Sequence, residues 1–325
     1  MSYLPTWARN KNAVEGLTSG KEVMETAGLN FDVGLQDIHQ KGTKVLDGIP
    51  IVGPKIEQSK AVVRLDNNQV LGVVGTKFRP IQNEEFCELF DEIVEKRKLK
   101  YFSAGLLSTG NWPTGSRVYM VAKGDKMDIG GDTLIPMSFV IAGHGGSQSL
   151  TFKSMFYRLV CLNGQIAEVP GMRSTISIQH SKFYTKRIKV VRKIMETQEI
   201  YEERIAELFS KLIQTPMTYG QFADFNKKIY PISSTGKDSL KKRNSVFKKR
   251  GELNRLFENG KGMERWKYTR WAAYNAVTEY VDHGPNRVAA STPTNWFDRT
   301  MLGTGANLKT KAFSLLTDKI MEPAI

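Results

Sequence analysis

The sequence is poorest in the residues that ligate metals and act as covalent nucleophiles. Its 325 residues include two cysteines, Cys87 and Cys161, and four histidines, His39, His144, His180 and His283. The cysteines form no CxxC pair, which excludes a disulfide framework and a thiolate metal knuckle; both read as buried free thiols. The histidines are too scattered for metal-ligand spacing, and no cofactor is expected. Neither G-x-x-x-x-G-K-[ST] nor G-x-S-x-G occurs, which removes phosphate-loop and nucleophile-elbow chemistry. No apolar run approaches the length of a membrane span, and MSYLPTWARN has no apolar h-region. A cytoplasmic chain with no membrane partner is expected.

Positive charge, by contrast, is abundant. Lys and Arg number 47 against 33 Asp and Glu, a net +14, with a pI near 9.6. Between Lys182 and Arg270 there are 22 basic and 10 acidic residues, so this stretch holds most of the surplus. Hydrophobic content of 40% is ample for a globular core. The combination points to a polyanionic partner, nucleic acid before an anionic membrane.

The pattern along the chain divides it into three. Residues 1–50 are weakly patterned, with one helix expected over Lys21–Thr26, capped by Ser19 and stopped by Gly28. Residues 51–180 form the organising block. Ala61–Leu65 and Val70–Val74 flank the turn Asp66-Asn67-Asn68 and read as a hairpin. Asn83 reads as the N-cap of a helix carrying Phe86, Leu89, Phe90, Ile93 and Val94 at helical spacing. YFSAGLL, SRVYMVAKG and TLIPMSFVIAGHG follow as strands, and SQSLTFKSMFYRLVCLNGQIAEV closes the unit. The class expected is α+β: a mostly antiparallel sheet with packed helices, followed by a helical C-terminal region.

Residues 181–325 read as that basic, mostly helical region. Ile188, Val191, Ile194, Met195, Ile205, Leu208, Phe209 and Leu212 keep helical period up to Pro216. TYGQFADFNKKIYP is a second helix. A third, SLKKRNSVFKKRGELNRLFENGKG, has Asp238 as its expected N-cap and is read as mobile for want of apolar residues. MERWKYTRWAAYNAVTEYVDHGPN carries Trp266, Trp271, Tyr274, Val277 and Tyr280 near one face, more a core stripe than a stacking platform. NLKTKAFSLLTDKIM closes the chain after a Gly303-Thr304-Gly305 loop.

The candidate binding residues follow from what sequence-independent nucleic-acid binding needs: cations along a backbone track and flat groups for bases to stack on. LTFKSMFYRLV supplies Lys153 and Arg158 beside Phe152, Phe156 and Tyr157. As a strand it places Phe152, Ser154, Phe156 and Arg158 on one face and Lys153, Met155 and Tyr157 on the other. A groove strand and a core strand with snorkelling cations both fit this pattern. Lys182, Lys186, Arg187, Lys189, Arg192 and Lys193 begin the next helix and are expected to line the same groove. Lys241, Lys242, Arg243, Lys248, Lys249 and Arg250 form two denser clusters. For a nuclease, Asp125, Asp128 and Asp132 look like a solvated loop, and Glu84, Glu85, Glu88 and Asp91 like a solvated helix face. GHGGSQS could cradle an anion through backbone N–H groups, though a glycine cluster between strands is usually a turn.

Three segments in order, VLGVVGTKFRPIQNEEFCELFD, AGHGGSQSL with YRLVCLNGQ, and RWAAYNAVTEYVDHG, resemble the phage/plasmid-like protein family (domain of unknown function 932). Where the family pattern has an acidic residue before the second glycine of the middle segment, His144-Gly145-Gly146-Ser147 has glycine, which argues against a metal there. The order of hairpin, helix, meander and basic strand also resembles the RecT/Redβ/Erf single-strand annealing superfamily. That resemblance implies a phage-type protein that binds single-stranded DNA and anneals it in homologous recombination, without nucleotide hydrolysis, as a homo-oligomeric ring or filament. A metal-dependent nuclease and a DNA-contacting assembly protein are the alternatives.

Overall fold

The computed structural model describes residues 14–42, 45–46, 49–50, 52–109, 112–146, 148–161, 163–166, 174–180, 198–233, 238–284 and 297–321. Local signals in the sequence account for its first elements. Ser19 accepts from Glu22 N at 3.3 Å while the Glu22 carboxylate accepts from Ser19 N, a capping box that starts helix α1 (Gly20–Thr26). Gly28 follows with φ +69, a left-handed stop that other residues resist. Strand β1 (Val33–His39) then runs antiparallel to β4 (Lys55–Arg64), which pairs with β5 (Gln69–Gly75) across the expected Asp66–Asn68 turn. Asn68 takes φ +57, and Asn67 Oδ1 accepts from Gln69 N. Residues 14–39, weakly patterned in sequence, thus contribute a helix, an edge strand and the buried Val14, Val23, Leu29, Phe31 and Val33. A two-stranded ladder, β2 (Val45–Leu46) with β3 (Ile49–Pro50), lies between β1 and β4 in the chain.

Helix α2 (Asn83–Lys96) is capped one residue earlier than expected. Gln82 is the N-cap, and Asn83 is buried in the first turn, donating to Leu29 O and Phe31 O. Its amide ties the N-terminal segment down and so cannot serve as a cap. Phe86, Leu89, Phe90, Ile93 and Val94 face inward as their spacing dictates.

The main sheet is antiparallel throughout. Its path runs β11 (Asn163–Gln165), β10 (Leu150–Arg158), β9 (Asp132–Gly143), β7 (Trp112–Lys123), β6 (Lys100–Thr109). β12 (Thr175–Ile178) shares the outer edge of β10 with β11, and β8 (Met127–Ile129) pairs with β9. Strand side chains alternate between faces. Val118, Met120, Ala122, Val140, Ala142 and Phe152 pack with α1 and α2, while Tyr119, Val121, Phe139, Ile141, Met155 and Tyr157 pack with Phe297, Met301 and Ala306. Covered on both faces, β9 is apolar almost without interruption from Leu134 to Ala142.

The C-terminal helices are α3 (Gln198–Gln214), α4 (Tyr219–Ile229), α5 (Leu240–Asn259), α6 (Arg270–His283) and α7 (Thr304–Met321). Between α6 and α7 a π-helical turn spans Asp298–Leu302. The class is therefore α+β with antiparallel sheets and a helical C-terminal region. Trp271, Tyr274 and Val277 of α6 are buried core, as expected. Leu134 and Phe156 of the sheet lie in one cluster with Phe209, Trp271 and Phe313, so sheet and helices share a core. Each such aromatic, fully buried, contributes about 1.5–3 kcal/mol. α7 begins at Thr304, inside the stretch expected to be a loop. No helix among the described residues is long and apolar enough to cross a membrane.

Candidate nucleic-acid interface

Strand β10 is not the floor of an open groove. Phe152, Lys153, Phe156, Tyr157 and Arg158 are all buried. The alternation read from sequence is correct, but both faces are covered. On one face Phe156 packs on Phe209 of α3 and Ser154 donates to Gln198. On the other, Lys153 Nζ donates to Met301 O at 2.8 Å. The covering segment lies nearly 150 residues downstream, which is why the strand alone could not reveal it. Arg158 donates through Nε to Asp132 Oδ2 at 2.5 Å, and through its outer nitrogens to Lys261 O at 3.0 Å and Gly262 O at 2.7 Å. Trp271 Nε1 shares the same Asp132 oxygen at 2.8 Å. Asp132, read as part of a solvated loop, is thus the buried partner of Arg158. The other two acids of that loop are ordinary: Asp128 accepts from Gly131 N in the β8–β9 turn, and Asp125 pairs with Lys100 at the surface.

Two of the stretches that carried the resemblance, YRLVCLNGQ and RWAAYNAVTEYVDHG, meet in this interior. Tyr274 OH donates to Ile166 O, Gln165 Nε2 to Asn275 Oδ1 at 3.1 Å, and Gly164 N to Asp282 Oδ2 at 2.8 Å. Lys309 Nζ completes the set with 2.7 and 2.9 Å contacts to both Asp282 oxygens. Such groups are retained when buried only because each has a partner.

The glycine cluster has a packing role. A Cβ on Gly72 would lie 2.3 Å from Gly145 Cα, and one on Gly145 would lie 2.6 Å from Leu71 O. Backbone meets backbone there. His144, beside it, shares a hydrogen bond of 2.9 Å between its Nε2 and Asn83 Oδ1, and burial lowers its pKa to about 3. Burial likewise pushes the Cys87 thiol up to about 12 and Cys161 up to about 11, which keeps both protonated and unreactive. No group of three His, Cys, Asp or Glu able to hold a metal occurs among the described residues.

Lys182, Lys186, Arg187, Lys189, Arg192 and Lys193 lie outside the described residues. The remaining basic clusters lie on one helix. Lys241–Arg250 belongs to the ordered helix α5, not a mobile arm, because Val246, Leu253, Leu256 and Phe257 anchor one face of it in the core. Ser239 Oγ, not Asp238, caps the helix; Asp238 instead accepts from Lys242 Nζ and Ser233 N, and Lys242 above all holds its carboxyl below the usual range. The helical period then separates the cations. Lys241, Lys248 and Lys249 line one groove of about 600 Å³ with Asn244, Ser245, Glu252 and Tyr280 of α6. Lys242 and Arg243 are exposed and do not line it. Arg250 turns inward, donating to Tyr230 O at 3.0 and 2.6 Å at the C-terminal end of α4. The sequence thus located the basic helix but not which of its six cations share a surface.

A family model described as Domain of unknown function (DUF932) matches residues 70–303. No curated protein and no solved structure matches the chain. The match takes in the hairpin strand β5, the main sheet, the basic helix α5 and all of α6, well over half of the sequence; the chain belongs to the DUF932 family.

Proposed function

We propose that this chain binds single-stranded DNA along the α5 groove and anneals complementary strands without nucleotide hydrolysis. The observation that carries the reading is the alignment of Lys241, Lys248 and Lys249 in one groove walled by Tyr280. At 1.5 Å rise per residue, Lys241 and Lys248 stand about 10 Å apart along the helix, the length of about three stacked nucleotides of one strand. The first turn of α5 also holds Lys241, Lys242 and Arg243 with no acid. Of these Lys241 lines the groove, where a cation at a helix N-terminus opposes the macrodipole and an anion relieves it.

A strand held by its phosphates leaves its bases open to test a second strand, and pairing then supplies the free energy of annealing. Several copies in a ring or filament would join short grooves into a longer track. The test is a salt titration of binding to a labelled single-stranded oligonucleotide, with an annealing assay in EDTA. Log affinity should fall steeply with log salt, and annealing should persist without divalent metal. A flat salt response, or no binding near physiological salt, overturns the proposal. Metal-dependent cleavage that disappears in an Asp or Glu variant would put a nuclease in its place.

A further inference from the structure

The α5 groove continues past Lys249. Lys249 and Tyr280 also border a second cavity of about 250 Å³, whose other walls are Tyr230, Val281, Arg299, Thr304, Gly305 and Leu308. No Asp or Glu among the described residues lines this cavity, whereas the groove contains Glu252, itself tied to Arg255 at 3.0 and 2.6 Å. Lys249 Nζ stands 5.3 Å from the centre of the Tyr230 ring. Arg299 is positioned by Nη2 donating to Val281 O at 3.1 Å, and its buried Nε has no acceptor among the described residues. The adjacent Asp298 does not neutralise Arg299, because both its oxygens are held by Arg117, at 2.5 and 2.7 Å. The first turn of α7 lies in the same wall and adds amide N–H groups that have no acceptor within the helix.

Two cations with no carboxylate suit a dianion better than the single charge of a phosphodiester. We infer that this cavity is an end site, taking the terminal phosphomonoester of a strand whose body lies in the groove. The inference rests on the single-strand reading above. A phosphomonoester carries about −1.5 to −2 charge at pH 7, and an arginine grips it through charge-assisted hydrogen bonds. Tyr230 and Tyr280 line the same cavity and offer the last base an aromatic contact.

The test compares one oligodeoxynucleotide sequence bearing a 5′-phosphate, a 3′-phosphate or neither, each bound to the full chain at the same salt. One phosphorylated end should bind about tenfold tighter than the unphosphorylated strand. That ratio should fall to about one in Arg299→Gln and survive in part in Arg299→Lys, which keeps the charge. Free deoxynucleoside monophosphate should lower the ratio in the parent protein without displacing the unphosphorylated strand. Circular dichroism reports whether each variant is folded, and the three-strand comparison in the parent needs no variant. Equal affinity for all three strands overturns the end site and leaves the groove standing. Failure of every strand to bind overturns the groove reading itself. Monophosphate binding with no preference for a strand end would make this a free-nucleotide site and overturn the end site.

Discussion

Arg158 and Asp132 form an ion pair in which neither side chain reaches solvent. Asp132 also accepts from Trp271, and Arg158 also donates to the backbone carbonyls of Lys261 and Gly262. The pair therefore joins β9, β10, α6 and the segment after α5. Removing one partner of such a pair leaves an uncompensated buried charge, so Arg158→Gln is expected to cost about 3–5 kcal/mol. Denaturant unfolding checks this. Loss of DNA binding in that variant should follow loss of fold; a fully stable Arg158→Gln protein that fails to bind would return β10 to the binding surface.

His144 gives the fold a pH dependence of definite sign. Its pKa falls from 6.5 to about 3 on burial, and its Nδ1 has no hydrogen-bond partner among the described residues. Between these values the unfolded chain binds the proton and the folded chain does not. Stability from this group is full above about 6.5 and declines as pH falls towards 3. The loss between pH 7 and pH 5 should be about 2 kcal/mol. Burial lowers His180 as well, and its contribution has the same sign. Unfolding midpoints across this range, with His144→Gln alongside, measure the effect: the slope should shrink in the variant. An unchanged slope would mean that His144 is not the group responsible.

Gly145 tests the reading of the glycine cluster as packing. Its missing side chain is replaced by Leu71 O at 2.6 Å from where a Cβ would stand, and a backbone carbonyl cannot rotate away as a side chain can. Gly145→Ala should cost at least about 2 kcal/mol, as overpacking does. Gly75→Ala, with nothing within 4 Å of its Cβ, is the control expected to stay within about 0.5 kcal/mol. If Gly145→Ala is as stable as the parent, the close approach of β5 to the loop is wrong.

Short-range chemistry was the part legible in sequence. The Ser19 cap, the Asp66–Asn68 turn and the inward face of α2 each depend on residues a few positions apart. Long-range burial was not. Charged residues are seldom fully buried, so Arg158 read as a surface cation until Asp132, 26 residues earlier, was placed against it. Lys153 is covered by Met301, and nothing near residue 153 encodes that contact. The same limit explains Asn83: its type fits a cap, but Leu29 O and Phe31 O claim its amide. For α5, composition alone suggested mobility; four well-spaced apolar residues were enough to dock it. Which of its cations share the groove depends on α6, whose Tyr280 forms the facing wall.

The central claim is that one face of α5, and not basic charge in general, carries the strand. Two variants with matched chemistry separate these: Lys241→Gln/Lys248→Gln/Lys249→Gln in the groove, and Lys242→Gln/Arg243→Gln outside it. The measurement is the slope of log affinity for a single-stranded oligonucleotide against log salt, with folding checked by circular dichroism. Three lost phosphate contacts should reduce the slope by about 2, at roughly 0.7 per contact on a single strand. The Lys242/Arg243 variant should change it by less than about 0.5, because neither residue touches the track. Equal reductions in the two variants, or a folded groove variant with the parent slope, would contradict the account.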